Sequence, residues 1–148
     1  MAKQHTTKLP PESQLLSRDD FKRFVFMRAA GKCAFCDLPA VDAHHVLERK
    51  LFPETGGYYL GNGAAVCETH HWQCETTELS VEAVREAAGI QTPVLPGSFS
   101  QQAVYDKWGN EVGADGLRLA GPLAGDVGML RALTAGRVIH QLITGFSE

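Results

Sequence analysis

Among the side chains able to do chemistry, the cysteines draw attention first: all four in the 148-residue chain fall between Cys33 and Cys74. Thiolates and imidazoles hold soft and borderline divalent ions. Cys33-Ala-Phe-Cys36 has the C-x2-C spacing of a zinc knuckle, where a tight turn brings both sulfurs to one side of a tetrahedral ion. Cys67-Glu-Thr-His70 repeats that gap in C-x2-H form. Thirty residues separate Cys36 from Cys67, so the two pairs would clamp the ends of a long hairpin and not frame a small finger. Cys74, one helical turn beyond His70, is an alternative fourth ligand, though the matching gap favours His70. The N-terminus has no apolar run of the kind a secretory leader carries. The expected compartment is therefore cytoplasmic, where clustered cysteines point to metal and not to disulfides.

The histidines follow an order of their own. Asp42-Ala-His44-His45-Val46 lies between the two halves of the knuckle, Asn62 stands five residues before Cys67, and His71 stands four after it. This succession resembles the HNH endonucleases of the His-Me finger (ββα-metal) superfamily, in the subtype with a structural zinc. The resemblance covers about residues 21–76. It implies a two-stranded antiparallel hairpin followed by a helix, with one catalytic metal held between them. It further implies that His45 is the general base at the end of the first strand, and that Asn62 orients it. His44, where many members carry Asp, and His71 on the helix become the ligands of the catalytic metal. Cys33, Cys36, Cys67 and His70 take the four structural zinc positions, with His70 replacing the usual final cysteine. The residues after Pro93 have no counterpart in that motif.

The chemistry is coherent without the family. Hydrolysing a phosphodiester needs a base active near neutral pH, and imidazole, with an unperturbed pKa of about 6.5, suits that task. It also needs a cation on the scissile phosphate, which His44 and His71 can hold while leaving positions open. An Asn62 carbonyl could accept from the ring N–H that is not acting as base. Glu75, one turn after His71, could be a further ligand or could orient one. Imidazole ligands favour Mn2+ or Ni2+ over Mg2+. The expected substrate is nucleic acid, DNA before RNA. A reading of another class, a catalytically inactive zinc-stapled module that binds nucleic acid or protein, draws on the net charge of −3, since a nuclease gains from a basic surface. His5 and His140 are isolated and given no role, and Trp72 and Trp108 are read as packing residues.

These residues need elements to position them. Hydrophobic residues at 44% and charged residues at 21% describe one ordinary globular domain. The charge is uneven, with +3 over residues 1–52 and −6 over residues 53–148, so a polybasic protein is excluded. No apolar run approaches the ~20 residues that span a bilayer, and no membrane association is expected. Residues 1–16 read as a loose tail, 17–89 as the zinc-stapled domain, and 90–148 as an extension packed on it. Ser17 caps a helix over 18–30 that carries Phe21, Phe24 and Val25 at helical spacing and closes at Gly31. An extended stretch runs from Val41 to Val46, and Tyr58 to Leu60 reads as a strand broken by Gly61-Asn62-Gly63. A helix is expected to begin within Ala64 to Glu75, and another to run from Ser80 to Gly89. Farther on, Val104-Tyr105 suggests a strand, and Met129–Leu133 and Val138–Ile143 suggest helices. The expected class is α+β: an N-terminal helix, a zinc knuckle, a ββα-metal hairpin and helix, then a helical and irregular C-terminal extension without chemistry of its own.

Overall fold

Ser17 opens the first helix as its residue type dictates, its Oγ accepting from the Asp20 N–H at 3.1 Å in the computed structural model, which describes residues 8–143. Helix α1 spans Arg18–Arg28, with Asp19 and Asp20 in its first turn where the dipole favours acid. It ends as Ala30 and Gly31 both enter the left-handed region, at φ of 55° and 77°. His5 lies outside the described residues.

The hairpin that α1 covers consists of β1 (Asp42–His45) and β2 (Gly63–Val66), antiparallel, with His44 opposite Ala64 and His45 opposite Gly63. Here the sequence expectation fails. Tyr58 and Tyr59 are irregular, Leu60–Asn62 is a 3-10 turn, and the strand begins where a break was expected. Ala64 to Val66 is strand and not the start of a helix; α2 runs only over Glu68–Glu75. Every residue of β2 is buried, so its apolar positions do not alternate, and small residues stand where close packing demands them. A Cβ on Gly63 would lie 2.6 Å from Val25 and 2.7 Å from Phe21, so α1 can approach only a glycine.

The hairpin is sandwiched. On one face Phe21 and Val25 of α1 pack with Ala43, Leu60 and Ala65. On the other, Val46, Ala64 and Val66 pack with Cys74 of α2 and with Val81 and Val84 of α3 (Val81–Ala88). Helix α3 begins at Ser80 and stops at left-handed Gly89, as its sequence indicates.

Beyond Pro93 the chain forms α4 (Val127–Ala135) and a small sheet of β3 (Glu111–Val112), β4 (Arg118–Leu119) and β5 (Leu142–Ile143). Strand β4 is central, antiparallel to β3 and parallel to β5. The helix expected at Val138–Ile143 is instead a 3-10 turn followed by β5, and of Val104-Tyr105 only Tyr105 forms a bridge, to Glu111. Trp108, Met129 and Leu133 make a separate core. The turn before β3 is tied together by one buried carboxylate. Asp106 accepts from the Trp108 and Asn110 N–H groups at 2.9 and 3.0 Å, from Asn110 Nδ2 at 3.0 Å, and from Arg118 at 3.1 Å. Among the described residues no helix is long and apolar enough to cross a membrane.

Candidate metal centres

Cys33 and Cys36 sit on the loop after α1, Cys67 caps α2, and His70 lies in its first turn. One ligand atom from each comes within 4.8 Å of the others. Nδ1 of His70 is 3.2 Å from the Cys67 sulfur and 3.5 Å from that of Cys33, and the Cys36 and Cys67 sulfurs are 3.8 Å apart. Tetrahedral zinc with bonds of ~2.3 Å to sulfur sets the sulfurs roughly 3.8 Å apart. Three thiols and one imidazole at these separations are compatible with structural zinc. The His70 N–H, 3.5 Å from the Cys67 sulfur, holds that thiol below its usual range. Phe35 stacks on the His70 ring at 5.2 Å. Cys74 stays outside the set, and burial pushes its thiol up to about 12.

A second group forms where β1 meets α2. His44, His71 and Glu75 each bring a donor atom within 4.8 Å of the others. Oε2 of Glu75 lies 3.4 Å from Nδ1 of His44 and 3.7 Å from Nε2 of His71, which is also 3.7 Å from Asp42. His44 is 2% exposed, and its Nδ1 has no hydrogen-bond partner. Leaving a buried nitrogen unpaired costs about 1–3 kcal/mol. That atom lies 3.4 Å from the Glu75 carboxylate, and a donor of His71 joins the group within 4.8 Å, so the donor set fits a divalent ion. Burial pushes His44 down to about 4. Burial alone would raise Glu75, but His44 and Lys107 beside it bring its carboxyl to about 2.

Adjacent residues on β1 point to opposite faces, so the two histidines take different surroundings. His44 meets His71 of α2 at 5.3 Å between ring centroids, whereas His45 stacks on Phe21 of α1 at 4.8 Å and meets Tyr58 edge-on at 5.2 Å. Both nevertheless line one open cleft of about 620 Å³. Nε2 of His45 is 3.1 Å from the Gly56 carbonyl. A carbonyl only accepts, so Nε2 carries the proton and Nδ1 keeps its lone pair. Burial, with Lys107 adding to it, pushes His45 down to about 4, well below the unperturbed value the sequence suggests. The ring is held neutral.

Asn62 does not accept from His45. Its Oδ1 accepts from the Leu47 N–H at 2.9 Å, and its Nδ2 donates to the carbonyls of Leu47 and Gly57 at 3.1 and 3.2 Å. The acceptor for the imidazole is the backbone of Gly56, and Asn62 fixes the loop that presents it. Asn62 follows β1 by a long loop and lies at its closure, so its amide meets main chain from both ends. Gly57 stands at φ +73°, and a Cβ there would lie 3.0 Å from Nδ2 of Asn62.

One residue of the centre escaped the sequence reading. Lys107, on the hydrogen-bonded turn before β3, is 5% exposed, donates to Glu48 at 2.7 Å and forms an ion pair with Glu75 at 2.9 Å. Beside it, Nε1 of Trp108 donates to the Glu75 carbonyl at 2.9 Å. The segment after Pro93, which carries no recognisable motif, therefore brings a charged side chain against Glu75. Trp108 packs as expected, but Trp72 does not: it is 58% exposed. Comparison with family models, curated proteins and solved structures finds no match to this chain.

Proposed function

We propose that the chain is a metal-dependent endonuclease of the HNH type, hydrolysing nucleic-acid phosphodiesters with DNA as the first substrate to test. The observation that carries this reading is the unpaired, buried Nδ1 of His44, which converges with His71 and Glu75 beside a cleft also lined by His45. A divalent ion bound by His44, His71 and Glu75 would neutralise the charge that develops on a scissile phosphate. His45 supplies the base: neutral, clamped between Phe21 and Tyr58, it presents Nδ1 to an attacking water. As that ring gains a proton, the Gly56 carbonyl on Nε2 stabilises the imidazolium. Asn62 orients the base at one remove, through the loop that carries Gly56 and Gly57.

Arg18, Lys22 and Arg49 line the same cleft. Asp19, Asp42, Glu48 and Glu75 line it too, so a divalent ion in the centre would tip this balanced cleft toward a phosphate backbone. Zinc at Cys33, Cys36, Cys67 and His70 would pin the knuckle to the start of α2 and so place His71. Supercoiled plasmid and single-stranded RNA, each incubated with Mn2+, Ni2+ or Mg2+, test the proposal. Expected is relaxed or linear plasmid, formed most readily with Mn2+ or Ni2+. Plasmid that is bound but uncut under all three ions would refute hydrolysis and leave a binding module.

A further inference from the structure

One carboxylate oxygen in the centre is shared. Oε2 of Glu75, which faces His44 and His71, is also the atom 2.9 Å from Nζ of Lys107. An ion held by the three ligands through that oxygen would share it with a buried ammonium. We propose that Lys107 is a resident counter-cation: it satisfies Glu75 while the centre is empty and makes loading of the centre depend on an anionic phosphate ester in the cleft. The inference rests on the metal-centre reading above and adds the regulation of that site.

Docking of the turn does not require this contact. The Glu48 N–H donates to the Lys107 carbonyl at 2.9 Å, and Trp108 Nε1 already holds the Glu75 carbonyl. Nor can the ammonium swing aside freely, since Glu48 grips it at 2.7 Å and the Trp108 ring lies 4.1 Å away. Glu48, Glu75 and Lys107 together carry one negative charge. A divalent ion turns that into one positive charge in a site where charge is poorly solvated, and a phosphodiester monoanion returns it to zero. Asp42 is half exposed, so water screens its share. Reciprocity then requires that the ester tighten metal binding by the factor by which metal tightens the ester.

The test is calorimetric titration of Mn2+ into the full chain with its knuckle metal retained, with and without a cleavage-resistant phosphorothioate DNA oligonucleotide. Without oligonucleotide, Lys107→Met should bind Mn2+ about ten-fold tighter than the parent, because one adjacent positive charge is gone and the unbranched stem is kept. The oligonucleotide should then tighten Mn2+ binding to the parent by a larger factor than to Lys107→Met. Glu48→Gln should act in the opposite sense and weaken Mn2+ binding. Folded Lys107→Met with equal or weaker Mn2+ affinity would overturn the proposal and make Lys107 a residue that positions Glu75. If Lys107→Met does not fold, Glu48→Gln decides, and unchanged or tighter Mn2+ binding overturns it. His44→Ala separates the two levels. Parental Mn2+ affinity in that variant removes the centre and this inference together. Lost affinity in His44→Ala, with no gain in Lys107→Met, removes only the role of Lys107.

Discussion

Asn62 is the residue at which a catalytic and an architectural role can be told apart by measurement. Its side chain is 0% exposed and makes three hydrogen bonds, one to the Leu47 N–H and two to the carbonyls of Leu47 and Gly57. Asn62→Ala removes all three and puts no partner in their place. An orphaned buried group costs about 1–3 kcal/mol, so the lost amide partner alone is a substantial penalty and the two carbonyls add to it. Allowing for relaxation and entry of a water, about 3 kcal/mol is expected. For a chain of this size that lowers the melting temperature by about 6–12 °C. Asn62→Asp should be no milder: it keeps the acceptor for Leu47 but sets a carboxylate oxygen against two carbonyls. Scanning calorimetry with zinc present gives the shift directly. An Asn62→Ala melting temperature within about 2 °C of the parent would refute the loop-closing role, because no buried three-bond staple can be removed so cheaply.

The remaining expectations divide between the two centres. Cys33→Ser should lower both the zinc content and the melting temperature, since metal binding and folding are coupled; metal analysis showing no zinc in the folded parent would dismiss the knuckle assignment. His45→Ala should reduce plasmid cleavage by about 10²–10⁴-fold while leaving zinc content unchanged, and cleavage at the parental rate would remove His45 as base. His44→Asp should move the metal ranking toward Mg2+, as an oxygen donor suits the harder ion; an unchanged ranking would show that His44 is no ligand. With no divalent ion added, stability should fall as pH drops from about 6.5 to about 4. His44 and His45 are held near 4, so the unfolded chain takes up their protons first, and the stability present above pH 6.5 is lost through that window. Glu75, held near 2, adds its loss only below about pH 4.5. Urea midpoints that stay level down to pH 5 would contradict neutral, buried imidazoles.

What the sequence made legible was local. Ligand gaps of two residues survive folding almost unchanged, so Cys33, Cys36, Cys67 and His70 come together as their spacing implies. The caps at Ser17 and Ser80 and the stop at Gly89 act within one turn, and the helices they bound are where they were expected. Strand β2 was not legible, because Gly63-Ala-Ala-Val66 is small and buried throughout, and neither period marks it. Tyr58 to Leu60 misled through its β-forming composition; Tyr58 in fact packs edge-on against Phe21 and His45. Asn62 could be read as a turn residue, but its partners depend on which residues the loop returns to, and no local pattern encodes that.

The contacts of the C-terminal segment were hidden for the same reason, with a larger consequence. Lys107 meets Glu48 across 59 positions and Trp108 meets Glu75 across 33, distances over which composition and periodicity say nothing. Yet α2, which carries His71 and Glu75, has only eight residues, and a helix that short is marginal unless other parts of the fold hold it. It is held at both ends. At its start Cys67 and His70 join the knuckle, and at its finish Trp108 of the 106–110 turn grips the Glu75 carbonyl. The two candidate ligands, His71 and Glu75, stand one turn apart on the same face, beside these anchors. The precision with which they can share an ion with His44 is therefore set by two contacts distant in sequence, and the segment with no recognisable motif supplies one of them.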